Sequence, residues 1–449
     1  MTSMMDRTAA TQPTAAAYDV TVIGGGASGL AAALSGASHG ASVLLVERDV
    51  EPGLPILVTG NGRCNISNAR LEARRYRHPD IFEAVAGAHP EADIERFFSS
   101  LGLVMAQEGG GRLYPVTRRA DSVRDVLLSG LSRAGVHTRC CCELVSPQYD
   151  ESQRAWTLTL CEPAHPLAAK PSSDHKTRIR ALRRAYAAAS MRESRITSRS
   201  VIIATGGGSS HIASLFNISH TQEAPALCPL ACISPLDGLT LNELDGLRVH
   251  ASLALMRKGA CIAFESGEVL FRPYGISGIA AFNLSRVAHQ GDRIELDLFP
   301  HLSAQDLQRL LRDRAGAIGP YTGSASWFDG LLARPLSRAL VPLINREHDT
   351  IIGASRLLHA LPLSVQGPAE PKQAQVTSGG IPFTSCEIPS LRITDGQHPR
   401  LFACGEALDM DADCGGYNLA WAWLSGMRAG TSAHDDTAPN GVECSSYPR

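Results

Sequence analysis

No apolar run in this chain reaches the roughly 18 residues that a membrane-spanning helix needs. The opening stretch, MTSMMDRTAATQPTAAA, lacks the apolar centre of a secretory signal; a disordered leader and a cytoplasmic protein are expected. A surplus of either charge is missing too. The 42 Lys and Arg stand against 44 Asp and Glu, for a formal net charge of −2, which gives no footprint for nucleic acid or an acidic membrane surface. Neither is expected as a partner; a small-molecule substrate is. The twelve cysteines contain no CxxC pair; the run Cys140-Cys141-Cys142 and the pair Cys228…Cys232 come nearest to a pattern. Neither a zinc site nor a disulfide framework is expected from that spacing, and reduced thiols suit a cytoplasm. No self-similarity appears at the roughly 20–50-residue period of a repeat protein.

What the chain has is an ordinary soluble composition, 44% hydrophobic and 19% charged. Its length suggests two or three domains at about 150 residues each. YDVTVI (18–23) reads as a buried strand that runs into Gly24-Gly25-Gly26. SGLAAALSGASHG (28–40) reads as a tightly packed helix of small residues, and ASVLLVE (41–47) as a second strand. Strand, helix and strand in this order make a right-handed βαβ unit.

Gly24-x-Gly26-x-x-Gly29 sits at the first strand-to-helix turn. There each glycine does a different physical job. The first permits the turn, the second lets a pyrophosphate approach the backbone, and the third lets helix and strand pack closely. The phosphates then face the free N–H groups and positive dipole end of the helix. Gly24, Gly26, Ala27, Ser28 and Gly29 are therefore candidate dinucleotide contacts. Glu47 ends the second strand, with Arg48 beside it. A carboxylate there accepts both hydroxyls of an adenosine ribose and repels a 2′-phosphate, which favours FAD or NAD over NADP. Two further strand ends carry glycine turns: VIIATGGG, with Thr205, Gly206 and Gly207, and LFACGEALD, with Gly405, Glu406 and Asp409. Three such ends suit one long ligand across a sheet edge, and FAD has that length. No second GxGxxG in strand-and-helix context is present for a nicotinamide domain.

Elsewhere, DIERFFSSLG and RADSVRDVLLSGLSRAG read as amphipathic helices, and AWTLTL (155–160) as a strand. Residues 161–197 are basic and irregular, and read as a solvated insertion at a hairpin tip, where extra length costs little. Residues 216–370 change character and read as a module inserted into the first domain. GYNLAWAWLSGMRAG (416–430) reads as a helix opened by a glycine pair.

Taken together, VIGGGASGLAAA, GNGRCNISN, GGGRLYPVTRRADSVRDVL, GEVLFRPYGISG, LPLSVQGPAEPKQAQVTSGGI and CGEALDMDADCGGYNLAWAWLSG give a resemblance that runs from about residue 18 to 430. The chain resembles the BaiN/RdsA-like NAD(P)/FAD-dependent oxidoreductases, the aminoacetone-oxidase-family flavoproteins. The resemblance implies an α/β fold: a Rossmann-like, glutathione-reductase-like FAD-binding domain split by an inserted β-rich module and a small helical module. The expected boundaries are a leader over 1–17, the FAD domain over 18–215 and 371–435, the β-rich module over 216–300, the helical module over 301–370 and a tail over 436–449. In such flavoproteins the GRCN loop wraps the cofactor near its middle, so Gly60, Gly62, Arg63, Cys64 and Asn65 are implied contacts. Three places depart from the family pattern: Leu54-Pro55 replaces a basic pair, 208–230 lacks the usual Ser-Tyr-Pro and Gly-Asp-Gly-Tyr stretches, and Ile279 replaces a proline.

The expected chemistry is hydride transfer through flavin N5, with NAD(P)H as a transient electron donor and an organic acceptor such as the enone of a steroid-like acid. A flavin oxidase of a small amine or aminoketone, a flavin-binding sensor and RNA-associated flavin chemistry remain open alternatives. The helix opened by Gly415, Gly416, Asn418 and Leu419 is expected to aim its N-terminus at the charge that gathers on the reduced ring. Tyr274 and Ser277 are the candidate catalytic side chains. No metal is expected.

Overall fold

The computed structural model describes residues 16–167, 174–395 and 399–436; the expected leader and tail lie almost wholly outside them. The chain forms two units. The first comprises the chain up to Gln222, Gly379–Met410 and the chain from Gly415; the second comprises Glu223–Ser378 and Asp411–Cys414.

In the first unit the βαβ reading holds. Strand β1 (Ala16–Ile23), helix α1 (Ala27–Ser38) and strand β2 (Val43–Val46) follow one another, and β1 and β2 pair in parallel. The strand starts inside the expected leader, because Ala16 and Ala17 already pair with Ile196 and Thr197. His137–Arg139 extends the sheet beside β2, Met191–Ile203 lies on the other side of β1, and Leu401–Ala403 follows it, all parallel. All four residues of β2 are buried, as expected of a parallel strand covered on both faces.

The small residues of α1 are explained by its neighbour, the final helix Tyr417–Asp435. A Cβ on Gly426 would stand 2.4 Å from Ser28 O, and one on Gly430 would stand 2.3 Å from Ala32 O. Only glycine lets the two backbones come this close. Trp421 and Trp423 are buried in the same helix, and their indole N–H groups donate to Gly405 O (3.0 Å) and Ile66 O (2.9 Å). Both are core residues.

The hairpin Glu143–Asp150 and Ala155–Pro163 packs its second strand antiparallel against Met191–Ile203. The connection between those two antiparallel strands is the expected insertion at a hairpin tip, mostly exposed, but it is not irregular. It contains a helix, His175–Ala187, capped by Asp174, whose carboxylate accepts from Thr177 N at 2.9 Å. Ile179 on this helix is buried with Val50 and Cys141.

The second unit is built on a closed six-stranded barrel: Leu230–Ile233, Gly275–Ser277, Ala260–Arg272, Arg248–Arg257, Arg293–Asp297 and Leu361–Pro368. Three helices, Ala304–Ile318, Arg334–Ile344 and Thr350–His359, enter between the last two strands. The sequence separates a β-rich stretch from a helical one, but the closing strand of the barrel lies within the helical stretch. Leu255, Phe271 and Ile294 of the barrel share one core with Leu311, Leu340 and Leu358 of the helices.

Candidate functional site

The first strand-to-helix turn is built by contacts that exclude side chains. Gly24 has φ +110°, and a Cβ there would meet Ala204 O at 2.3 Å; one on Gly29 would meet Gly24 O at 1.9 Å. At Gly26, by contrast, no protein atom lies within 4 Å of where a Cβ would stand. That space lies at the N-cap of α1, which makes no side-chain hydrogen bond, so the helix opens towards it with its first N–H groups, those of Ala27, Ser28 and Gly29, beyond reach of the i−4 ladder. Glu47 is fixed beside the turn: Oε2 accepts from Gly25 N and Oε1 from Asp49 N, both at 2.6 Å. Each oxygen keeps a second lone pair for a hydroxyl donor. Arg48, next to that carboxylate in the chain, is exposed.

The two later strand ends arrive at the same edge. Ala204 O touches the Gly24 position, and Thr205 and Gly206 follow, Gly206 at φ +70° with open space where a Cβ would stand. Gly207 is exposed. A Cβ on Gly405 would meet Ser28 Oγ at 2.3 Å, so this glycine seats the third strand end directly on the start of α1. Its N–H donates to Ser425 Oγ at 2.9 Å.

The GRCN loop turns through left-handed residues, Gly60 (φ +55°), Asn61 (φ +56°), Gly62 (φ +82°) and Cys64 (φ +56°). It reaches the final helix at its first turn. A Cβ on Gly416 would meet Ser67 O at 2.3 Å and Asn65 Oδ1 at 3.0 Å. Asn68, which carries no motif of its own in the sequence, pins this junction: its Nδ2 donates to Gly110 O (3.1 Å) and Gly415 O (3.0 Å). The signal is present in the pattern GRCNISN, as a second asparagine whose side chain has to be satisfied once buried. Asn418 and Leu419 lie in that first helical turn, both half-buried. Glu406 is half-buried in the short turn Gly405–Ala407, and Asp409 Oδ1 accepts from Gly379 N at 3.0 Å.

Arg63 already has neighbours of its own. Its guanidinium pairs with Glu108 and lies 4.2 Å above the centre of the Tyr114 ring; Glu108 also holds Arg118. Burial pushes the Cys64, Cys404 and Cys414 thiols up to about 12, so they stay protonated at neutral pH and pack as small apolar groups. All eleven described cysteines are free. Tyr274 and Ser277 belong to the barrel unit. The Tyr274 hydroxyl donates to Glu370 Oε2 at 3.2 Å, and burial together with that carboxylate raises its pKa.

Two side-chain oxygens on these stretches are buried without any hydrogen-bond partner among the described residues, Asn65 Oδ1 and Thr205 Oγ1. Such groups cost roughly 1–3 kcal/mol when left unpaired, and both stand on stretches expected to line a cofactor. With the open positions at Gly26 and Gly206, they fit a long dinucleotide with hydroxyl and amide groups. Thr205→Val tests this. It replaces the orphaned hydroxyl with a methyl of similar shape, so the cofactor-free protein is expected to gain up to about 1 kcal/mol in denaturant unfolding, while FAD affinity falls. Loss of stability in the cofactor-free protein would show that the hydroxyl is already satisfied.

A family model described as the HI0933-like protein Rossmann domain matches residues 18–165 and 172–432. A 3-dehydro-bile acid delta(4,6)-reductase of Clostridium scindens is 27% identical over 447 residues, covering 92% of this chain and 98% of that protein. A ribosomal RNA dihydrouridine synthase of Escherichia coli is 24% identical over 435 residues, covering 91% of this chain and 96% of the other. Among solved structures, the 3-ketosteroid-delta4-(5alpha)-dehydrogenase of Rhodococcus jostii in complex with 4-androstene-3,17-dione is 12% identical with a TM-score of 0.45, over 95% of this chain and 99% of that one.

Proposed function

Because the chain belongs to the HI0933-like Rossmann-domain family, we propose that it is an FAD-dependent oxidoreductase that takes hydride from NAD(P)H and delivers it to a carbon–carbon double bond conjugated with a carbonyl. The observation that carries the cofactor reading is the pair of buried, unpartnered oxygens on Asn65 and Thr205. Bound FAD supplies the ring that accepts and donates hydride. The chain supplies the rest. The opening turn of α1 receives the pyrophosphate over Gly26, with Ala27 and Ser28 offering N–H donors. Glu47 accepts the ribose hydroxyls with the lone pairs its backbone contacts leave over. The first turn of the final helix, at Asn418 and Leu419, sets a positive dipole end where negative charge collects. Trp421 and Trp423 wall off water behind that turn.

The substrate class follows the chemistry of the two relatives. A 3-oxo group with 4,6-unsaturation is a conjugated dienone, and dihydrouridine is uridine reduced at its ring double bond. The dienone and the uracil ring of uridine are hydride acceptors of one type: hydride adds at one carbon of the double bond and a proton at the other. A free steroid-like enone is the first reading. A uracil ring within RNA is the second, and the ribosomal RNA relative favours it.

Anaerobic reduction of the purified protein tests the reading. NADH or NADPH is expected to bleach the flavin absorbance, and an enone or a uridine-containing RNA to restore it. Bleaching by a small amine alone, with peroxide on re-aeration, would replace the reductase with an oxidase. A protein that takes up no FAD would end the flavin reading altogether.

A further inference from the structure

The helix His175–Ala187 is anchored on the segment that follows β2, and this has a consequence for ligand binding. That segment carries Glu47, Asp49 and Glu51, three carboxylates within five residues. It presses on the dinucleotide turn. A Cβ on Gly25 would meet Glu47 Oε2 and Pro52 Cβ, each at 2.8 Å, and Gly53 N–H donates to Gly25 O at 2.7 Å. Left bare, these carboxylates would add negative field to a segment packed on the turn meant for a doubly charged pyrophosphate, and at physiological salt such a field is screened only over ~8 Å.

The helix answers two of them. Arg178 Nη2 donates to Glu51 Oε1 at 2.7 Å, and His175 Nε2 lies 3.1 Å from Glu51 Oε2. Arg183 Nε donates to Asp49 Oδ1 at 3.0 Å. Arg124, from the helix Ala120–Arg133, completes the cage, with Nη2 on Glu51 Oε2 at 2.5 Å and Nε on Pro52 O at 2.9 Å. The Glu51 side chain is left 17% exposed. Glu47 has no cationic partner among the described residues; its bonds are to backbone N–H groups alone. The rest of the helix is unlike this face. Lys176, Arg180 and Arg184 repeat every fourth residue and make no ion pair among the described residues.

We propose that this basic helix is a positioning element for the dinucleotide: Arg178 and Arg183 neutralise Glu51 and Asp49, leaving Glu47 as the one uncompensated carboxylate at the turn. The inference rests on the FAD reading and gives the helix a role beyond the packing of Ile179 against Val50 and Cys141. It acts through charge on the ligand, since exposed ion pairs of this kind add little to stability by themselves.

The test is titration of cofactor-free protein with FAD, and in parallel with ADP, followed by fluorescence and calorimetry. Arg178→Gln/Arg183→Gln is expected to raise Kd roughly tenfold, about 1.4 kcal/mol, and added salt is expected to recover part of the loss by screening the exposed carboxylates. Adding Asp49→Asn and Glu51→Gln to the same protein is expected to restore the original Kd. Arg180→Gln/Arg184→Gln, away from the carboxylates, is expected to leave Kd unchanged. Wild-type affinity in the Arg178/Arg183 variant, an unrestored Kd in the fourfold variant, or an equal loss in the Arg180/Arg184 variant would each overturn the proposal. A wild-type protein that binds ADP but not FAD would count against the flavin reading alone, with the ADP series still deciding the role of the helix.

Discussion

Gly29→Ala is expected to give protein that carries no flavin after purification and takes up none from solution. The new methyl would stand 1.9 Å from Gly24 O and 3.3 Å from Ala204 Cβ. The first partner is backbone, so no side-chain rotation relieves the overlap. Either α1 moves away from β1 or the Gly24 peptide turns over, and each displaces the N–H groups that meet the pyrophosphate. Overpacking of this kind costs about 1–3 kcal/mol when side chains can yield, and more when they cannot. Flavin absorbance per protein and a calorimetric Kd measure the outcome, with far-UV circular dichroism reporting whether the fold survives. Gly26→Ala is the informative companion. Its methyl meets no protein atom within 4 Å, so the melting temperature of the cofactor-free protein is expected to hold while FAD affinity drops. Normal flavin content in both variants would remove the turn from the binding site.

Arg286→Ala is expected to produce the largest loss of stability in the barrel unit, about 3–5 kcal/mol. Arg286 Nε donates to Asp411 Oδ1 at 2.6 Å, Nη2 donates to Asp411 O at 3.1 Å, and Nη1 pairs with Asp413. The Asp411 side chain is 0% exposed and that of Asp413 12%. Truncating the arginine leaves two carboxylates shut away from water with their main counter-charge gone. Urea unfolding checks the size of the loss. Arg286→Lys is expected to recover only part of it, because an ammonium cannot reproduce the planar, multiply bonded fork. Adding Asp411→Asn and Asp413→Asn to Arg286→Ala is expected to recover more. A loss below about 1 kcal/mol would mean that water reaches the cluster.

The parts of this molecule that are legible in the sequence are those governed by local backbone demands. The βαβ turn is readable because Gly24 and Gly29 stand where no Cβ fits, and a strand and a helix flank them in plain periodicity. The module boundaries are less readable. Leu361–Pro368 closes the barrel only through pairing with Leu230–Ile233 and Arg293–Asp297, partners 65 to 138 residues away in register, and no local pattern reports such a pairing. The stretch that holds the helix His175–Ala187 reads as an irregular, solvated insertion, because it is basic and rich in alanine and serine. Its inner face is fixed by Asp49 and Glu51, more than a hundred residues earlier, so its charge is visible in the sequence and its counter-charge is not. At the site, the glycines announce themselves, whereas Asn68 does not, since its importance lies in the two carbonyls it joins. Arg63 offers a donor to the cofactor on the sequence alone, and the structure gives its guanidinium to Glu108 and Tyr114.

The glycine-to-backbone seam between α1 and the final helix also bears on how the protein is made. A nascent chain presents β1, α1 and β2 together, but the surface of α1 that accepts Gly426 and Gly430 stays uncovered until those glycines follow, on the order of 400 residues later. The third strand end, at Leu401–Ala403, is equally late. At roughly 5–20 residues per second, the emerging first segment waits some tens of seconds with its apolar face open. During translation that interval is when chaperone capture or a premature stop would be most damaging, and a product truncated before residue 417 has no means of covering α1.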